Sequence, residues 1–214
     1  MINDVAIKNF VINNTTNSDM HGLFENISYN STVKNLVLEN VKIESSQNQT
    51  GGLAGSAYGS VSNCIVSGTI KGGDETGGLV GCISEATINS CASTANIEGG
   101  SSTGGLVGSF IYGTLDNSYA TGNITGADSV GGLAGAVYAY SNISNSYAIG
   151  NVTGNNQVGG FVGRSGDGSP ANISNSYSTG HIVGTGDEVG GFVGANGSYY
   201  KSNDYEEKLI SNII

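Results

Sequence analysis

Tryptophan is missing from this 214-residue chain, proline occurs once and cysteine only three times. Cys64, Cys82 and Cys91 are too few and too oddly numbered for a disulfide scaffold, and no C-x-x-C or Cys/His spacing marks a zinc site. Charge is scarce as well: charged residues make up 11%, with 7 Lys plus Arg against 17 Asp plus Glu and a formal net charge of -10. With no basic stripe to neutralise phosphates, a nucleic-acid partner is excluded. No run of about 18 apolar residues occurs, so membrane insertion through a helix is not expected. The opening MINDVAIKNF has neither the basic n-region nor the apolar h-region of a signal peptide. The pattern breaks off after Tyr205, so the chain reads as a segment of a longer protein, with other domains of that parent at both ends.

Glycine, by contrast, is plentiful, with 36 residues, about twice the usual share. No G-X-Y period accompanies it, which excludes collagen, and 37% hydrophobic residues are too many for a disordered chain. The glycines fall in a repeat. Thr50-Gly51-Gly52-Leu53-Ala54-Gly55 returns as TGGLVG from Thr76 and Thr103, VGGLAG from Val130 and VGGFVG from Val158 and Val189, after a degenerate MHGLFE from Met20. Successive starts lie about 27 residues apart. A second block follows each: LDNSYATGNI from Leu115, ISNSYAIGNV from Ile143 and ISNSYSTGHI from Ile173, with VSNCIVSGTI from Val61 and INSCASTANI from Ile88 in the same frame.

Each repeat therefore holds three short apolar segments separated by small or polar residues, and none is long enough for a helix. Three strands and three turns per repeat describe one rung of a parallel β-helix. The expected fold is an all-β, right-handed parallel solenoid of about 27 residues per rung and roughly seven rungs, a rod on the order of 30 to 35 Å long. Residues 1–49 form divergent N-terminal rungs, 50–205 the regular rungs and 206–214 a truncated tail, all in one continuous solenoid. Three columns are expected inside: the Leu or Phe after each glycine pair (Leu23, Leu53, Leu79, Leu106, Leu133, Phe161, Phe192), the Ile, Val or Leu at 61, 88, 115, 143 and 173, and that at 70, 97, 124, 152 and 182. The glycine pairs mark places where the backbone takes positive φ or approaches its neighbour too closely for a Cβ. A leucine-rich horseshoe shares the period, but only Val33–Asn40 has its leucine density and no repeat offers the helix that fold needs.

The paired blocks [TV]GG[LF][VA]G and IxNSYATGNV resemble the GLUG motif of large secreted and surface-attached bacterial proteins. The resemblance covers residues 50–205, and the opening VAIKNF and TVKNLVLENVKI resembles the rung that precedes such arrays. Arrays of this kind occur in adhesin-like proteins and in the N-terminal region of IgA-cleaving metallopeptidases. The resemblance implies a β-solenoid, an extracellular setting and a noncatalytic stalk or recognition role. It does not imply proteolysis, because HExxH is absent and the two histidines, His21 and His181, lie far apart.

Candidate sites are few. Tyr119, Tyr147, Tyr177 and Tyr205 recur in one frame, with Ile65 and Ala92 in the earlier rungs. If the flanking Ser118 and Ala120, Cys64 and Val66, and Leu36 and Leu38 point inward, this column faces out. It is then either a stripe that binds sugar or peptide or a stacked ladder that stabilises adjacent rungs. Cys64 and Cys91 occupy equivalent positions within disulfide reach, but parallel in-register side chains rarely meet the torsion requirement, so buried thiols are expected. Asp74, Glu75, Asp128, Asp187 and Glu188 precede the glycine blocks, and Asp167 lies in the longest loop. They read as a solvated edge, since the calcium-binding nonapeptide is absent. Arg164 is the only arginine, and a polysaccharide-cleaving groove would need two or three carboxylates converging with such a cation. A threonine face for ice binding is interrupted in the column Ser67, Thr94, Thr121, Ile149, Thr179.

The sequence thus points to no catalytic residue, metal or cofactor. It points to a stalk or recognition domain for host protein or glycan, at a bacterial surface or secreted, with Tyr119, Tyr147, Tyr177, Tyr205, Arg164 and Asp167 as candidate contacts. The alternative is a substrate-binding accessory of a secreted metallopeptidase.

Overall fold

A computed structural model describes residues 5–14, 19–138, 140–166, 171–196 and 210–211. All regular elements among them are β-strands, paired in parallel into three sheets of 17, 6 and 7 strands. The turn beginning at Thr103 shows the common plan. Thr103–Gly104 contributes to sheet two, Val107–Ile111 to sheet three, and Thr114–Asp116, Tyr119–Ala120 and Ile124–Thr125 form three arms of sheet one. Each segment pairs with its counterpart one turn on: Thr103 with Val130, Val107 with Ala134, Leu115 with Ile143, Tyr119 with Tyr147 and Ile124 with Val152. The chain is therefore a parallel β-solenoid.

Corners divide the expected three segments into five. The IxNSYA run bends at asparagines in the left-handed region, Asn117, Asn145 and Asn175, with φ of 49°, 50° and 49°. Asparagine tolerates that region better than most residues, so the Asn-rich blocks of the sequence are corners.

All three expected apolar columns point inward. Leu53, Leu79, Leu106, Leu133 and Phe161 are fully buried, as are Val61, Ile88, Leu115 and Ile143, and Ile70, Ile97, Ile124 and Val152. Leu23, Ile182 and Phe192, in the outer turns, pack partly buried against them. Phe110 and Phe161 supply the bulk that tryptophan would otherwise give.

The glycine blocks resolve into the second of their two explanations. None of the glycines in these blocks has positive φ; among the described residues only Gly68, Gly166 and Gly180 do. Instead, a Cβ on Gly51, Gly77, Gly104, Gly131, Gly159 or Gly190 would overlap the carbonyl oxygen three residues on, and one on Gly81, Gly108, Gly135 or Gly163 would strike backbone of the preceding turn. Sheets two and three meet here backbone to backbone.

The first repeat departs from its expected alignment. His21, not Met20, lies in register with Thr50, while Phe24 pairs with Ala54. One glycine of the block is therefore missing, and Glu25 stands where Gly55 stands a turn later. Gly55 needs its missing Cβ because residues 20 and 21 of the first turn press on it.

Candidate functional site

Tyr119, Tyr147 and Tyr177 stand in register on the second arm of sheet one. Their flanking residues, Ser118, Ala120, Ser146, Ala148 and Ser176, are buried, so the rings face outward as the alternation requires. Ile65 and Ala92 continue the column; Ile65 is exposed, whereas Ala92 is too short to reach past its neighbours and is buried. The rings of Tyr119 and Tyr147 lie 4.9 Å apart at 1°, and those of Tyr147 and Tyr177 5.2 Å apart at 8°. In-register parallel strands repeat at about 4.8 Å, so the backbone itself imposes this stacking. Lost hydration, followed by the neighbouring Tyr119 and Tyr177, holds the Tyr147 phenol above its ordinary pKa. Because the rings cover one another's faces, the ladder offers solvent mainly their edges.

Arg164 lies elsewhere, on sheet three in register with Ala136 and Ala195, its guanidinium 5.8 Å above the Tyr138 ring. The structure does not bring it onto the arm that carries the tyrosine ladder. Tyr205 and Asp167 lie outside the described residues. Ser165 pairs with Val137 and Asn172 with Asn142, so this turn carries two residues more than the preceding one between those positions.

The acidic edge is bonded into the stack. Asp74 Oδ1 accepts the Ser101 N–H at 2.7 Å, and Asp128 Oδ1 accepts the Asn156 N–H at 3.1 Å and its side-chain amide at 2.9 Å. Gln157 in turn donates to the Glu188 carboxylate at 2.9 Å. These carboxylates occupy alternate turns and satisfy backbone or amide donors of the turns between them. Asp116 has the same task on sheet one, accepting from Ser144 at 2.6 Å, Asn145 at 2.7 Å and Asn117 at 2.7 Å. Its pKa is held below the ordinary carboxylate value first by Ser144, then by Asn145.

Further recurring polar residues have structural employment of the same kind. In the NSY block, Ser118 Oγ accepts the Cys91 N–H at 3.0 Å and donates to the Asp116 carbonyl at 2.8 Å, and Ser146 repeats both bonds with Ser118 and Ser144. The asparagine of the GNI block accepts the N–H of its successor: Asn123 onto Asn96, Asn151 onto Asn123 and His181 onto Asn151, at 3.0, 3.2 and 3.0 Å.

Cys64, Cys82 and Cys91 are buried and carry no disulfide. Cys64 and Cys91 take the place of that serine, their thiols bonding the carbonyls of Ser62 and Asn89. The Cys91 thiol is pushed far up by its hydrogen bond with Cys64 and by burial. Burial, reinforced by the Glu75 charge, pushes Cys82 up to about 12. Thiols held protonated in this way are poor nucleophiles.

A second group of tyrosines lies outside the NSY frame. Tyr29 with Tyr58 and Tyr112 with Tyr140 form two pairs where sheet three turns into the first arm of sheet one, with Glu85 in the turn between them. Tyr29 and Tyr58 lie 4.9 Å apart at 41°, and Tyr112 and Tyr140 6.1 Å apart at 23°. None of the eight described tyrosines is buried.

The fold and its turn-to-turn bonding define the class: a β-solenoid built from short glycine-punctuated repeats. The GLUG motif family matches residues 46–71, 99–125, 126–153 and 154–183, just over half of the chain, and the chain belongs to that family. No curated protein matches it. Residues 72–98, outside those matches, pair in the same register as the rest.

Proposed function

We propose that this chain is a noncatalytic recognition stalk of a secreted or surface-attached bacterial protein, holding an adhesive face toward host protein or glycan. One observation carries this reading. The recurring Asn, Ser and Asp side chains of these blocks are spent on bonds between turns, whereas every described tyrosine stays at the surface although Phe110 and Phe161 pack fully inside. Aromatic rings with a polar tip are the side chains most often found at recognition hot spots. A rod of stacked turns also suits the role, because contact area grows with the number of turns.

The test is binding of the 214-residue chain to immobilised host matrix proteins and to a glycan array. Wild type should bind a defined subset. A variant with serine at Tyr119, Tyr147, Tyr177, Tyr112 and Tyr140 should keep its β circular dichroism and lose that binding. Equal binding by this variant, or no binding by wild type, would overturn the proposal.

A further inference from the structure

Two of the corner tyrosines occupy a backbone conformation that suits them badly. Tyr112 and Tyr140 have φ of 51° and 53°. Other left-handed corners of this chain use Asn, Ser, Gln or Glu, and a bulky residue in that region is a genuine outlier. Asparagine would turn the corner at lower cost. Nor does packing repay the strain, because Tyr112 and Tyr140 are 51% and 62% exposed and Tyr29 is 54% exposed.

The corner also carries charge. Thr87 pairs with Thr114 and Thr114 with Asn142, so two residues earlier Glu85, Tyr112 and Tyr140 form one column. Glu85 is exposed and sits at the same kind of corner, with φ of 60°. Val61 pairs with Ile88, so Tyr58 falls in the same column one turn before Glu85, and behind lost hydration Glu85 and then Tyr58 raise the Tyr29 phenol. Unlike the closed ladder at 1° and 8°, the corner pairs are tilted or further apart, so their rings cover one another less completely. The molecule itself shows what a tyrosine face accepts: Arg164, the only Lys or Arg between Lys71 and Lys201, lies over Tyr138 at the adjoining end of sheet three.

We propose that Tyr29, Tyr58, Glu85, Tyr112 and Tyr140 form a docking ridge for a basic segment of a partner protein, whose Arg or Lys side chains lie on the tyrosine faces beside the Glu85 carboxylate. The proposal rests on the recognition role above and supplies its ligand chemistry. Charge complementarity selects this occupant: the chain carries a formal net charge of -10, which steers cationic segments in and keeps anionic ones away. Cation–π contact is strongest for guanidinium and ammonium groups over electron-rich rings.

The probe is a twelve-residue peptide of alternating Arg and Gly, with its citrulline counterpart as the uncharged control, titrated against the whole chain at about 0.15 M salt. Y112S/Y140S and Y29S/Y58S should each weaken binding about tenfold and E85Q about fivefold, with circular dichroism unchanged. D187N, which removes a carboxylate from a different edge, should change affinity less than E85Q. Equal losses from D187N and E85Q would show unspecific attraction of a polycation to an acidic chain and overturn the ridge. Tight binding of the citrulline peptide, preference for a neutral oligosaccharide, or corner variants that bind like wild type would overturn it too. If host proteins bind while the Arg peptide does not, the recognition role stands and this chemistry fails; if neither binds, both fail.

Discussion

The hydroxyl of Ser118 shows how a single recurring residue holds two turns together. It accepts the buried Cys91 N–H from the preceding turn while donating to the Asp116 carbonyl of its own. Removing it strands a donor that water cannot reach, which costs about 1 to 3 kcal/mol. Ser118→Ala should therefore lower stability by about 2 kcal/mol, measured by guanidinium unfolding. Ser118→Cys should recover part of the loss, because Cys64 and Cys91 already fill this position with longer, weaker bonds to the carbonyl two residues back. A neutral Ser118→Ala would mean that the hydroxyl is not needed between turns. The same bonding explains why so few residues are left over for chemistry: the Asn, Ser and Asp side chains that recur are satisfying backbone groups.

Among the elements, the glycine columns set how closely sheets two and three approach. A methyl group on Gly104 would overlap the Val107 carbonyl oxygen and crowd the backbone of Gly135, whereas one on Gly191, in the outermost described turn, would meet nothing within 4 Å. Gly104→Ala should cost about 3 kcal/mol, the upper range for overpacking, while Gly191→Ala should be nearly neutral. Thermal melts of the two proteins separate these outcomes, and equal melting would show that the sheets can part without loss. The columns themselves are legible in the sequence, because Gly, Leu and Ile recur at the turn period and only a stack needs that register. The reason for the glycines is not, since positive φ and close approach leave the same residue behind. For the same cause Tyr119, Tyr147 and Tyr177 can be read as one outward column, while Tyr29 with Tyr58 and Tyr112 with Tyr140, each also about one turn apart, form no unbroken run because the turn between the pairs carries Glu85. The missing glycine of the first repeat is hidden similarly, because MHGLFE aligns equally well with or without the gap.

At the scale of the whole molecule, each turn touches only its neighbours, so stability is a sum of similar interfaces and a turn is removable as a unit. Deleting residues 103–129 joins Ser102 to Val130 and leaves every column filled by the residue type it needs: Val130 meets Thr76, Ala134 meets Val80, Ile143 meets Ile88 and Tyr147 meets Ala92. The shortened chain should remain folded, with unchanged circular dichroism per residue and a rod shorter by about 4.8 Å in small-angle scattering. Deleting residues 103–116 instead removes half a turn, puts Asn117 where Thr103 should enter sheet two, and throws each later column onto the wrong sheet. That chain should be insoluble or unfolded, because a register error of this kind exposes the apolar positions of each subsequent turn. If both deletions fold equally well, register along the solenoid is not what specifies the fold; if both fail, the turns are coupled over longer distances than nearest neighbours.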